Sequence, residues 1–178
     1  NLIKGMWAFA LLDRSKGELT LVRDRFGEKP LYYGSHHLSG RNCFLFASEL
    51  TAFKALDNFK PTINHAALTN YFAYSYVPSP SSIFDGIFKL SPGHLISISL
   101  PFTSSLPSQR PWWSLSSVIS SSADCLFSNE VEALDQLEKA LASSVTAQCI
   151  SDVPLGTFLS GGIDSSLITA LLQHNSSA

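Results

Sequence analysis

The sequence predicts an α+β part followed by an α/β part. Three observations carry that prediction. Short apolar runs alternate with turn residues through the first hundred or so positions, a serine- and proline-rich stretch occupies residues 101–127, and a helix, strand, glycine turn and helix follow it. With 178 residues the chain suits one ordinary domain or two incomplete ones. Apolar residues make up 45% and charged residues 15%, which predicts a packed core and argues against disorder despite the serine-rich stretch.

The elements follow in order. Residues 6–12, MWAFALL, form a continuous apolar run between Gly5 and Asp13, short enough for a strand with both faces covered. Residues 19–22 come after DRSKGE and predict a hairpin turning at Lys16 and Gly17. Further strands are expected at 31–33 and 43–47 with Gly40 in the turn between them, giving a β-rich meander. A helix carrying Leu50, Phe53 and Leu56 is expected after Ser48, and another after Asn64, whose side chain suits an N-cap. Pro78 and Pro80 then force an extended loop. Residues 94–100 set Ile96, Ile98 and Leu100 against Ser97 and Ser99, the alternation of a half-buried strand.

The serine- and proline-rich stretch reads as a linker. Trp112 and Trp113 should pin it across a surface, because each ring carries a large apolar area. Next, Asn129 and Glu132 have capping-box spacing, and Val131, Leu134, Leu137, Leu141 and Val145 mark one face of a long amphipathic helix. Residues 153–159 predict a short buried strand, while Leu167, Ile168, Leu171 and Leu172 recur at helical spacing. The polar cluster between them, SGGIDSS at 160–166, is therefore a strand-to-helix turn.

Charge and cysteine usage exclude several classes. A net charge of −2 offers no basic surface to nucleic acid or an anionic membrane. Cys43, Cys125 and Cys149 are odd in number and outside any CxxC spacing, so neither a disulfide framework nor a zinc site is expected, and a reducing interior is. No apolar run approaches the ~18 residues of a membrane span, and a signal peptide's basic and apolar regions are missing, so a soluble cytoplasmic protein is expected. The chain opens at Asn1 and enters a strand almost at once, which suggests an internal fragment.

The glycine turn is the strongest chemical signal. A helix N-terminus leaves backbone N–H groups unpaired and carries about half a positive charge. Gly161 and Gly162, lacking Cβ atoms, let those amides approach an anion, and the hydroxyls of Ser160, Ser165 and Ser166 add donors. Asp164 fits beside phosphate only if it caps the helix, orients a donor or faces a divalent cation such as Mg²⁺. A Walker loop is excluded because the turn holds no lysine. The GxSxG elbow is excluded because Ile163 and Asp164 stand two after Gly161 and Gly162. On spacing alone, a plain glycine turn with serine caps stays open beside the anion-binding reading.

SGGIDSS resembles the SGGxDS pyrophosphate-binding loop of the ATP-pyrophosphatase superfamily, and SDVPLGTFL before it resembles the version in glutamine-hydrolysing asparagine synthetases. GMWAFALLD, RDRFGEKPLYYG, FASEL, YVPSPSSIF with GIFKLSPGH, and WWSL resemble the same family in the same order, so the likeness spans nearly the whole chain. It implies the C-terminal half of a β-rich N-terminal-nucleophile (Ntn) glutaminase domain at 1–103, a linker at 104–128, and at 129–178 the start of a synthetase domain of the adenine-nucleotide α-hydrolase-like fold. It implies that ATP activates the side-chain carboxylate of aspartate as an acyl-adenylate, and that ammonia from glutamine then displaces AMP. By resemblance Leu159, Ser160, Gly161, Gly162, Asp164, Ser165 and Ser166 would bind ATP, mainly its pyrophosphate portion, with Asp164 facing Mg²⁺. The partners implied are the small-molecule substrates ATP, glutamine and aspartate, with no nucleic acid and no membrane, and a homodimer as the assembly.

Departures from the family pattern bear on activity. The family's glutaminase nucleophile is a cysteine at the mature N-terminus, whereas Asn1 stands first here and Cys43 lies in an apparent strand. The RHRGP-like and NGE-like glutamine-binding stretches are also missing. No catalytic residue is therefore assigned, and the chain alone is expected to be inactive. Arg23, Asp24 and Arg25, beside Phe26 and Gly27, are expected to fix a turn, and Ser48 before Glu49 to cap a helix. His36 and His37 are expected to face solvent near a loop. Two other readings remain: the same plan amidating or cyclising another carboxylate, and a non-catalytic truncated paralogue.

Overall fold

The structure, a computed structural model, describes residues 3–38, 40–103 and 105–175. It divides into two compact units, Met6–Ser117 and a second one holding residues 3–5 and 118–175.

The first unit is α+β and built on antiparallel sheets. Strands β1 (Ala8–Asp13) and β2 (Glu18–Arg23) form the expected hairpin, in register from Ala8 opposite Arg23 to Asp13 opposite Glu18. Its turn is held by Asp13, whose Oδ1 accepts from the Ser15 hydroxyl at 2.7 Å and from the N–H groups of Ser15 and Lys16 at 3.0 and 3.1 Å. The Ser15 hydroxyl first, then the Lys16 amide, hold this carboxyl below its ordinary pKa. A second hairpin joins β3 (Tyr32–Leu38) to β4 (Arg41–Ala47). Helices α1 (Leu50–Phe53) and α2 (His65–Tyr74) follow, and Asn64 caps α2 by accepting from the Ala67 N–H at 2.8 Å. Strands β5 (Ile87–Lys89), β6 (His94–Ser99) and β7 (Arg110–Pro111) complete two sheets of order β1-β2-β6-β7 and β4-β3-β5. Leu21, Ile96 and Ile98 from the first sheet meet Tyr33 from the second, with Leu31 and Leu90, in one buried cluster. Each such buried aliphatic side chain contributes about 1.5–3 kcal/mol of transfer free energy.

The serine- and proline-rich segment enters this unit. Gln109 Oε1 accepts from the Ser91 N–H at 2.8 Å, and its Nε2 donates to the Tyr33 hydroxyl and the Lys89 carbonyl. Strand β7 then pairs with β6. Trp112 stacks on Trp7 and donates from Nε1 to the Arg23 carbonyl at 3.0 Å, while Trp113 meets Phe26 edge-on. The two rings do pin the segment. Gly93 makes room for it: its carbonyl accepts from the N–H groups of both tryptophans, and a Cβ there would lie 2.6 Å from the Trp113 carbonyl oxygen.

Several expectations fail for physical reasons. Strand β1 is not covered on both faces: Leu11 and Leu12, whose side chains alternate between its two faces, are 60% and 48% exposed, so neither face is fully packed by the described residues. Helix α1 is a single turn that ends before Leu56, and Asn58, in the left-handed region at φ 61°, turns the chain away. Its N-cap is Glu49, without a side-chain capping bond, so Ser48 does not cap it. Leu100 falls beyond the end of β6 and is 40% exposed.

In the second unit α4 (Glu130–Gln148) packs against α5 (Ile163–Asn175), and Leu171 is the one buried side chain among its described residues. Helix α3 spans Leu115–Ser122. Asn129 caps α4, accepting from the Glu132 N–H at 2.9 Å. The Glu132 carboxylate turns back to the hydroxyl and N–H of Ser128, one residue earlier than a standard capping box. The apolar face of α4 is formed but open, with Val131 77% and Leu134 57% exposed. Residues 153–159 are not a strand, because a strand exists only in a ladder and no described residue pairs with them.

Candidate functional site

The glycine turn stands where the sequence puts it, at the start of α5. Gly161 has φ +83°, a left-handed conformation that side chains resist, and a Cβ built on it would meet nothing within 4 Å. That conformation lets the chain enter the helix while leaving its first amides uncovered. Among the described residues none accepts from the N–H groups of residues 161–165, whereas the Ser166 N–H closes onto the Gly162 carbonyl at 3.1 Å.

The serine hydroxyls are ordered around the same carbonyl. Ser165 Oγ and Ser166 Oγ donate to it at 3.1 and 2.8 Å, and Ser160 Oγ lies 3.0 Å from Ser165 Oγ. Ser160, Gly161, Gly162, Asp164, Ser165 and Ser166 are thus brought together, with Asp164 in the first turn of α5. Leu159 adjoins them in sequence and is 66% exposed. One link escaped sequence reading: the Thr169 hydroxyl donates to the Ser165 carbonyl at 2.8 Å and lies 3.1 Å from the Thr157 hydroxyl, tying the segment before the turn to the helix after it. Two threonines twelve residues apart carry no spacing signal. Unpaired amides and a Cβ-free approach suit a polyphosphate, whose oxygens accept from N–H groups, while the Ser165 and Ser166 hydroxyls donate to the Gly162 carbonyl and would have to turn from it to reach the same anion. Among the described residues no three His, Cys, Asp or Glu side chains converge as a metal centre.

In the first unit Arg23 and Asp24 serve structural ends. Asp24 is 1% exposed and accepts from the N–H groups of Trp7, Phe26, Glu28 and Lys29 at 3.4, 3.1, 3.0 and 3.0 Å. Arg23 donates to the carbonyls of Lys29, Leu90 and Gly27 at 2.8, 2.6 and 2.6 Å. Burial lowers the Arg23 pKa and the neighbouring Asp24 charge opposes that shift. All the side-chain bonds of this pair end on backbone groups, so it ties the RDRFG turn, as the sequence suggests, and Arg25 lies 5.8 Å from the Trp112 ring.

His36 corrects the sequence reading, whereas His37 faces solvent as expected. His36 and His37 lie within β3, and His36 packs edge-on against Phe59 with its Nε2 buried and without a hydrogen-bond partner. His37 is exposed and bonds Asn42. His36 stands opposite Cys43 in the β3–β4 register, yet the Cys43 thiol donates to the Arg41 carbonyl at 3.9 Å, so the two are not joined as a nucleophile and base. No helix among the described residues is long and apolar enough to cross a membrane.

Comparison with known proteins adds two matches in chain order. Residues 1–113 match the glutamine amidotransferase domain family, and residues 136–178 match the asparagine synthase family. The chain is 36% identical to glutamine-hydrolyzing asparagine synthetase 3 of Bacillus subtilis over 170 residues, covering 95% of this chain and 25% of that protein. It is 30% identical to asparagine synthetase 1 of the same organism, covering 97% of this chain and 25% of that protein. It is also 31% identical to a Gibberella zeae protein named Amidase chry2, covering 97% of this chain and 24% of that protein. The chain spans about a quarter to a third of the length of the curated relatives it matches.

Proposed function

We propose, on the premise that this chain belongs to the glutamine amidotransferase domain family and carries an asparagine synthase segment after it, that it works within an ATP-dependent, glutamine-hydrolysing asparagine synthetase. The observation that carries this reading is the SGGIDSS turn, with open amides, inside the segment matching asparagine synthase.

In this reading residues 129–178 begin an α/β nucleotide-binding domain, and the turn holds the part of ATP that leaves. An aspartate side-chain oxygen attacks the α-phosphorus, the bond from that phosphorus to pyrophosphate breaks, and ammonia released from glutamine then displaces AMP from the acyl-adenylate. The amides of residues 161–165 hold the β- and γ-phosphate oxygens, joined by the hydroxyls of Ser160, Ser165 and Ser166 once Ser165 and Ser166 turn from the Gly162 carbonyl, so they act on the charge that grows as pyrophosphate departs. Leu159 sits beside the nucleotide, and Asp164 faces Mg²⁺, which when bound would neutralise part of that charge. No residue of this chain is assigned to glutamine hydrolysis, so the 178 residues alone are inactive in this reading.

The test is to supply the full-length protein with ATP, Mg²⁺, glutamine and aspartate and to identify the products. Pyrophosphate and AMP support the proposal, whereas ADP and phosphate overturn it. A parallel reaction without aspartate bears on the second reading, in which the same plan serves another carboxylate. Replacing Asp164 by Asn should depress synthesis while sparing glutamine hydrolysis, and equal loss of both would contradict the division of labour.

A further inference from the structure

The first unit contains a cavity of about 470 Å³ unrelated to the glycine turn. Its walls are apolar and aromatic, with Tyr32, Leu68, Tyr71, Tyr76 and Ile83 among them, and one cation, Lys89, reaches into it. Lys89 is held firmly at its base: its N–H donates to the Pro80 carbonyl at 2.8 Å and its own carbonyl accepts from Gln109. The ammonium donates to the Val77 carbonyl and lies 5.9 Å from the centre of the Tyr32 ring. A lysine ammonium has three donors, so two remain for other partners. Among the described residues no carboxylate pairs with it; the ion pairs there are Lys16–Asp13 and Lys139–Asp135. Burial first, then the Arg23 charge, lower the Lys89 pKa, which is the signature of a half-buried cation short of negative charge.

We propose that this cavity binds a small amphiphilic monoanion, an aryl or alkyl carboxylate, with its apolar body among the tyrosines and its carboxylate on the Lys89 ammonium. Size and chemistry select this occupant. The volume lies within the range of small-molecule sites, and an apolar lining with one fixed polar group is their usual composition. A single cation compensates a single negative charge, whereas a phosphate dianion would leave one charge desolvated among aromatic rings. Tyr71 and Tyr76, 49% and 60% exposed at the rim, give such a ligand an open entry.

Calorimetric titration of the full-length protein with 3-phenylpropionate and with its uncharged amide, 3-phenylpropionamide, tests this. The acid should bind about tenfold more tightly than the amide, the size expected of one charge-assisted contact. In Lys89→Met the acid should fall to the affinity of the amide while the amide is unchanged, and Lys89→Arg should keep the preference for the acid. Tyr76→Ala, a change at the exposed rim, should weaken both ligands together. Equal affinity for acid and amide in the native chain, a preference that survives in Lys89→Met, or no binding of either at millimolar concentration would each overturn the proposal. Fluorescence of Trp7, Trp112 and Trp113, which do not line the cavity, reports whether each variant is folded, and if Lys89→Met unfolds, unchanged binding in Tyr76→Ala still refutes the site.

Discussion

Replacing Gly161 by Ala isolates the contribution of the turn's backbone. Gly161 sits at φ +83°, and the added methyl would meet no atom within 4 Å, so the substitution carries a torsional cost and no clash. Holding an L-residue in the left-handed region costs about 1–2 kcal/mol. The turn would then occupy its observed conformation for a smaller fraction of the time, and apparent affinity falls with that fraction, which makes binding of Mg²⁺-ATP about 5- to 30-fold weaker in the full-length protein. Equilibrium titration with the nucleotide measures this directly. Gly162→Ala is the comparator: its φ is not left-handed and its Cβ would sit 3.7 and 3.8 Å from Ser160 Oγ and Ser165 Oγ, ordinary contacts, so any loss there reports obstruction of the ligand. If Gly161→Ala binds Mg²⁺-ATP within about twofold of the native protein, the observed turn is not the binding conformation and the reasoning fails.

Two further outcomes concern the first unit. Asp24→Asn turns one carboxylate oxygen into a donor facing two backbone N–H groups, which should destabilise the unit by about 3 kcal/mol or more; urea unfolding followed by tryptophan fluorescence measures it, and a change under about 1 kcal/mol would show that the buried carboxylate is not what ties the RDRFG turn. Ser15→Ala removes the main cause of the depressed Asp13 pKa, so the carboxyl should titrate nearer its ordinary value. Because the folded-state value is the lowered one, support from this turn is present above the ordinary carboxylate pKa and is lost as pH falls through the folded value. An NMR titration in which Ser15→Ala leaves Asp13 unmoved would contradict the assigned cause.

What could be read from the sequence was what short-range chemistry decides. The hairpin at Lys16 and Gly17, the Asn64 and Asn129 caps and the alternation of Ile96 and Ile98 each depend on residues within a few positions, and each is present. Strand β7 was not legible, because two residues have no period and their place depends on Gln109 bonding Ser91, Tyr33 and Lys89 across the unit. The apolar runs at 6–12 and 153–159 were legible as apolar but not as covered or paired, since coverage and pairing are properties of neighbours. The Lys89 cavity escaped for the same reason: its lining comes from residues 32–89 and no motif joins them.

The candidate site divides along the same line. SGGIDSS states its own geometry, because two glycines before a helical run dictate a turn with free amides, and the structure has that turn. The turn's strength as a site is a different matter. Residues 151–164 are exposed throughout, Phe158 and Ile163 at 98% and 87%, so a phosphate on these amides would still be largely in water. A hydrogen bond exchanged against water contributes only about 0.5–1.5 kcal/mol net, and electrostatic attraction between charges falls several-fold between a protein interior and bulk water. Open amides therefore select an anion without holding it tightly. An exposed Phe158 beside them is the kind of apolar surface that a folded protein covers. The proposal that the turn works within a protein of its relatives' length follows from both facts, since the same added walls would dry the phosphate site and bury the phenylalanine. Nucleotide affinity and protection of residues 153–159 from hydrogen exchange should accordingly rise together in the full-length protein, and a rise in one without the other would separate the two effects joined here.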